Sequence, residues 1–141
     1  MNQEEIKAFL PHREPMLLVD TLALDEEGQA RGEYLVRGDE PFLQGHFPGF
    51  PVVPGVVLCE IIAQSAGILV REKLQEGLLP LFVGMEKVRF RRMVRPGDRI
   101  LTTCRLLRRS GMMVKIAGEA WVEGEVCAEG AFLMILSDAG K

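Results

Sequence analysis

Two residues in this 141-residue chain have the types and the setting for proton chemistry. His46 lies within Leu43-Gln44-Gly45-His46-Phe47-Pro48-Gly49-Phe50-Pro51-Val52-Val53-Pro54-Gly55, a loop stiffened by three prolines and opened by three glycines. Histidine titrates near neutral pH and can take up a proton at modest cost. Glu60, fourteen residues on, is the lone acid in a mostly apolar run from Val56 to Val70. Its neighbours one helical turn away are Val56, Val57, Ala63 and Gln64, none of them basic. Glutamate is rarely buried without a partner. Burial without a countercharge raises a carboxyl pKa, and a carboxyl that keeps its proton is a general acid. Gln64 is placed to hydrogen-bond Glu60 and orient it. The same spacing also fits a structural glutamate or one reaching solvent at a helix edge, and His46 fits a capping or core histidine.

Gly55 adds a third group. The first N–H groups of a helix have no intrahelical partner, and the helix dipole makes that end weakly positive. Pro54 has no N–H, so Gly55 and Val56 supply the donors. A carbonyl docked there would find the stabilisation that an oxyanion hole gives a developing enolate. Other chemistries find little support. Two histidines without ligand spacing do not make a zinc site, and there is no P-loop, G-x-G-x-x-G or G-x-S-x-G motif. Cys59 has no neighbour that would lower its pKa. His12, in Leu10-Pro11-His12-Arg13, reads as an ordinary loop histidine. Lys87 to Arg99 holds six of the seventeen basic residues, which suggests either an anionic partner or a solvated strand face.

These groups need elements to hold them. Glu4 to Leu10 fits a short amphipathic helix that Pro11 ends. Met16–Leu24 and Gln29–Arg37 read as strands around an Asp25–Gly28 turn. Pro54, suited to a first helical position, opens a helix predicted to run to about Gln75 with Gly77 as its stop. Its apolar residues fall on every side, the pattern of a buried helix. Four further strands follow at about Leu81–Phe90, Arg99–Arg108, Met112–Val122 and Glu125–Leu136. In the Met112–Val122 strand, Val114, Ile116, Gly118, Ala120 and Val122 share one face. Long strands with short connections favour an antiparallel sheet. The expected fold is α+β: one long central helix wrapped by a curved antiparallel sheet of about five or six strands.

The length suits one domain spanning residues 1–141. At 48% hydrophobic with a net charge of −3, the composition gives no sign of a nucleic-acid partner or a membrane surface. The apolar run is shorter than a membrane span, and the acidic N-terminus lacks the marks of a signal peptide. Cys59, Cys104 and Cys127 read as reduced core thiols of a cytoplasmic protein.

The motifs Leu10-Pro11-His12-Arg13, Gly45-His46-Phe47-Pro48-Gly49, Pro54-Gly55-Val56, Glu60 with Ala63-Gln64, Arg89-Phe90-Arg91-Arg92 and Pro96-Gly97-Asp98 keep an order and spacing that resemble the (3R)-hydroxyacyl-[acyl carrier protein] dehydratases of the FabZ type. The resemblance runs from about Leu10 to Leu136 and implies a hotdog fold, paired into a homodimer and in some members a hexamer of three dimers. It implies that His46 of one protomer and Glu60 of the other meet across the interface. His46 would act on the α-proton of a 3-hydroxyacyl thioester carried by acyl carrier protein, and Glu60 would protonate the departing hydroxyl. Gly55 N–H would polarise the thioester carbonyl, Gln64 would hold Glu60, and the Val52 carbonyl would set the His46 tautomer. No cofactor would be required. Phe50, Val53, Ile61, Ile62 and Met93 depart from the residues common in the family, at positions that could shape the acyl tunnel. Alternative readings are a dehydratase of a polyketide or polyene pathway, a hotdog acyl thioesterase, and a non-catalytic acyl-binding subunit.

Overall fold

Alternating burial along one strand shows how the core is made. In the computed structural model, which describes residues 1–45 and 47–138, Val114, Ile116, Gly118, Ala120 and Val122 are all buried on one side of their strand. The elements in order are α1 (Gln3–Lys7), β1 (Thr21–Leu24), β2 (Ala30–Leu35), a 3-10 turn (Pro41–Leu43), α2 (Gly55–Ser65), a 3-10 segment (Ala66–Val70), α3 (Arg71–Gln75), β3 (Leu79–Phe90), β4 (Arg99–Ser110), β5 (Met113–Val122) and β6 (Glu125–Ser137). The six strands form one antiparallel sheet in the order β1-β2-β4-β5-β6-β3, which does not close on itself. Helix α2 packs on β2, β4, β5 and β6, so the expected hotdog arrangement of a helix against a curved sheet is present.

The helix contributes Leu58, Cys59, Ile61 and Ile62 to the core, each large aliphatic side chain stabilising the fold by about 1.5–3 kcal/mol. Two glycines let the layers approach. A Cβ at Gly118 would run into the Ile62 side chain, and one at Gly32 would lie 2.6 Å from Ser65 Oγ. Small residues at these points set how deeply the helix, and therefore Glu60, sits over the sheet.

Three expectations change. The helix is not one uninterrupted α-helix from Pro54 to Gln75: Pro54 is the extended N-cap residue, Gly55 is the first helical residue, and the coil tightens to 3-10 over Ala66–Val70. Gly67 has low helix propensity, and its missing side chain admits Leu10, whose Cδ1 would be 2.8 Å from a Cβ there. Nor is the helix buried all round, because Val56 is exposed and Val57 and Ala63 only partly covered. Finally, the first strand shrinks to Thr21–Leu24. Residues Met16 to Leu18 spend backbone groups on a side chain instead of a ladder: Leu18 N–H donates to Gln64 Oε1 (2.8 Å), and Gln64 Nε2 donates to the Met16 carbonyl (2.7 Å). The other strand boundaries fall within about two residues of expectation.

Candidate active site

The helix start is fixed from two directions. Val53 N–H donates to the Val94 carbonyl at 2.8 Å, and the Pro54 carbonyl accepts from Val57 and Leu58. Val52 and Val53 are buried, whereas Val56 faces out. The N–H groups of Gly55 and Val56 have no acceptor among the described residues, as their place in the first turn requires. They open on a cleft of about 820 Å³ lined in part by Phe47, Val52, Gly55, Val56, Phe90 and Met93. Phe90 packs tightly on Gly55, with ring atoms 2.9 Å from where a Cβ would stand. Only glycine permits that packing and leaves the N–H approachable.

Glu60 lies one turn beyond Val56 on the same helical face. Its side chain is 23% exposed, so it is half-sheltered rather than sealed. Gln64 Nε2 donates to Glu60 Oε2 at 2.8 Å, the orientation expected of that pair. Gln64 itself is fully buried and has its amide committed on both sides, to Glu60 and to the Met16–Leu18 backbone. The carboxyl therefore hangs from a rigid support.

One expectation about Glu60 is corrected here. No basic residue is near it in the sequence, but His12 Nε2 lies 3.3 Å from Glu60 Oε2. His12 does lie in a loop, as expected, but is brought to Glu60 from 48 residues away. Its loop is clamped by Arg13, whose guanidinium donates to the carbonyls of Leu10 (2.8 Å), His12 (2.7 Å) and Lys7 (3.1 Å). The one sequence signal that could have found it is its place in the Leu10–Arg13 motif.

His46 lies outside the described residues. Of the other expected site residues, the structure gathers Val52, Gly55 and Val56 around the cleft and Glu60 with Gln64 one turn away. Three of the six basic residues from Lys87 to Arg99 pair with acids. Arg91 pairs with Glu129, Arg92 with Glu125 and Arg99 with Glu33, while Arg95 lies over the Phe50 ring at 5.2 Å. Burial pushes the thiols of Cys59, Cys104 and Cys127 up, which leaves them poor nucleophiles. Among the described residues, no group of three or more His, Cys, Asp or Glu side chains is placed to hold a metal.

Comparison with known proteins adds to this geometry. A family model described as a FabA-like domain matches residues 10–131. The 3-hydroxyacyl-[acyl-carrier-protein] dehydratase FabZ of Petrotoga mobilis is 44% identical over 135 residues, covering 95% of this chain and 96% of its own length. The protein of the same name from Caldicellulosiruptor saccharolyticus is 45% identical over 133 residues, covering 93% and 95%. Among solved structures, the dehydratase heterocomplex ApeI:P from Xenorhabdus doucetiae matches with a TM-score of 0.80 at 21% identity, over 95% of this chain and 91% of that one. A putative thioesterase, a phenylacetic acid degradation-related protein from Ralstonia eutropha, matches with a TM-score of 0.63 at 21% identity, over 82% and 83%. At that identity the structures speak for the hotdog fold alone, a fold that hosts more than one activity.

Proposed function

The chain belongs to the FabA-like domain family, and from that premise we propose that it is a hydro-lyase of fatty acid biosynthesis, converting (3R)-3-hydroxyacyl-acyl carrier protein to trans-2-enoyl-acyl carrier protein. The observation that carries the reading is Glu60: a carboxyl set on a rigid amide, partly exposed, one turn from a helix start whose N–H groups have no acceptor among the described residues.

In the proposed reaction the thioester carbonyl docks at Gly55 N–H, with Val56 beside it. His46, its tautomer set by the Val52 carbonyl, removes the α-proton, and the electron pair moves toward the carbonyl oxygen. Charge developing there is stabilised by the preorganised N–H and the helix dipole. The pair then forms the C=C bond as the C3–O bond breaks, and Glu60 gives its proton to the leaving hydroxyl, which departs as water. His46 has gained one proton and Glu60 has lost one, so a proton passing to Glu60 resets the site. Nothing is oxidised or reduced, and no cofactor enters the balance.

The site is proposed to be divided between protomers, with His46 of one meeting Glu60 of the other. β3 supports the dimer. It is a 12-residue strand at the sheet edge, and Leu81, Val83, Met85 and Phe90 along it are exposed. A long apolar edge of this kind is covered in stable proteins. A second copy pairing through it would also cover the open face of α2. Three such dimers would make a hexamer. The basic stretch from Lys87 to Arg99, part of which lines the cleft, would help dock the acidic carrier protein. Work in the cytoplasm agrees with three free, buried thiols.

The test is incubation with (3R)-3-hydroxyacyl-acyl carrier protein, following the absorbance of the conjugated enoyl thioester. Enoyl product with the thioester intact is expected. Release of free thiol instead would point to a thioesterase, and neither product to a binding subunit; both contradict the reading.

A further inference from the structure

We propose that His12 is a positioning residue that fixes which oxygen of Glu60 carries the reactive proton; this deepens, and rests on, the dehydratase reading above. The observation is a lopsided carboxyl. Gln64 Nε2 donates to Glu60 Oε2 at 2.8 Å and His12 Nε2 lies at ion-pair distance, 3.3 Å, from the same oxygen, while Oε1 has no partner among the described residues.

A neutral carboxyl has one acceptor oxygen and one that bears hydrogen. An oxygen that accepts from Gln64 and has the His12 ring nitrogen close against it has no room for a hydrogen of its own. Oε2 is therefore the carbonyl-type oxygen of the neutral acid, and Oε1 carries the proton and faces the substrate. One donor would not suffice. The terminal torsion of glutamate is soft and roughly two-fold, so a carboxyl tied only to Gln64, on its own helix, can swing about that contact. His12 arrives from a separate loop and supplies the second direction.

The ring is prepared for this part. His12 Nδ1 is buried and has no partner among the described residues. A hydrogen there would be a stranded donor, costing about 1–3 kcal/mol, so the proton belongs on Nε2, the nitrogen that faces Glu60. The loop is held on one side by Arg13 and on the other by the double contact of Gln64 with Met16 and Leu18. Gln64 thus aligns both the carboxyl and the loop that brings the second donor. His12 and Glu60 share a cavity of only about 30 Å³, which leaves the ring little freedom.

The test compares wild type, His12→Phe and His12→Gln with acyl carrier protein substrate. Phenylalanine keeps the ring but cannot donate, and a misplaced reacting group costs about 100-fold. The expected result is a kcat loss of that order with KM unchanged within about twofold, and recovery of most of the loss in His12→Gln, whose amide can donate to Oε2. A His12→Phe variant with wild-type kcat, a loss confined to KM, or a His12→Gln variant no better than His12→Phe would overturn the proposal. A second readout needs no turnover and uses the wild-type fold. With only two histidines in the chain, the Hε2 proton of His12 is separable by NMR. It should be protected from exchange in wild type and lose that protection in Glu60→Ala. An unprotected Hε2 in wild type, or protection unchanged in Glu60→Ala, would overturn the proposal even if both His12 variants failed to fold. Wild type that forms no enoyl product would instead defeat the dehydratase reading, leaving the NMR result to judge the hydrogen bond itself.

Discussion

Glu40 and Glu60 are both carboxyl groups held by protein donors, yet their surroundings are arranged differently. At Glu40, Oε2 accepts from Tyr34 Oη (2.6 Å) and Arg37 N–H (2.9 Å), and Oε1 accepts from Gly38 N–H (2.7 Å). Both oxygens are occupied and the residue is buried. Burial opposes its charge, but the Tyr34 hydroxyl and the Arg37 and Gly38 N–H groups outweigh it and hold the carboxyl below its ordinary value. The same environment pushes the Tyr34 hydroxyl up, through burial first and then its bond to Glu40. At Glu60 the Gln64 donor and the His12 ring nitrogen fall on one oxygen, and the other has no partner among the described residues. A carboxylate satisfied on both sides fastens the turn that leads into the His46 loop. One satisfied on a single side keeps an oxygen for a reaction.

The comparison can be broken by exchanging the consequences of mutation. Glu60→Gln should lower kcat by about 10²- to 10⁴-fold, the usual value of a general acid, while thermal melting stays near wild type. A large fall in melting temperature with activity retained would place Glu60 with Glu40 as a fastening. Gln64→Ala should be the mixed case. It strands the buried Leu18 N–H, costing about 1–3 kcal/mol in chemical denaturation, and it frees the Glu60 carboxyl, so kcat should also fall. Tyr34→Phe should cost about 1.5–3 kcal/mol of stability through the lost bond to a charged group, with activity per folded molecule unchanged.

The smallest effect is the pH dependence. The folded pKa of Glu40 lies below its ordinary 4.5. Its stabilisation is therefore complete above that value and is lost as pH falls through the lower, folded value. Melting temperature should drop on acidification below 4.5, and the part of the slope due to Glu40 should vanish in Glu40→Gln.

What the sequence made legible follows from range. Alternation placed Val114, Ile116, Ala120 and Val122 on the core face of β5 because side-chain direction in a strand is a local property. The Glu60–Gln64 bond was readable because residues four apart on a helix are neighbours. The exposure of Val56 aside, what differs from expectation depends on distant contacts. Leu10 packing against Gly67 accompanies the tightening of the helix after Ser65, and Gln64 draws Met16–Leu18 out of the sheet. His12 reaches Glu60 across 48 residues, and Arg91 finds Glu129 across 38. No periodicity reports such pairings. The Leu10–Arg13 motif marks His12 as part of a pattern but carries no information on what its ring touches.

The proposed site is divided between two copies of the chain, with Glu60 of one meeting His46 of the other. The most direct measurement is to refold His46→Ala and Glu60→Gln together in equal amounts and assay enoyl formation. Half of the dimers would be mixed, and each mixed dimer would hold one site with both groups intact, so about a quarter of wild-type activity should return. Activity no higher than that of the two inactive parents, in a sample shown to contain mixed dimers, would contradict it.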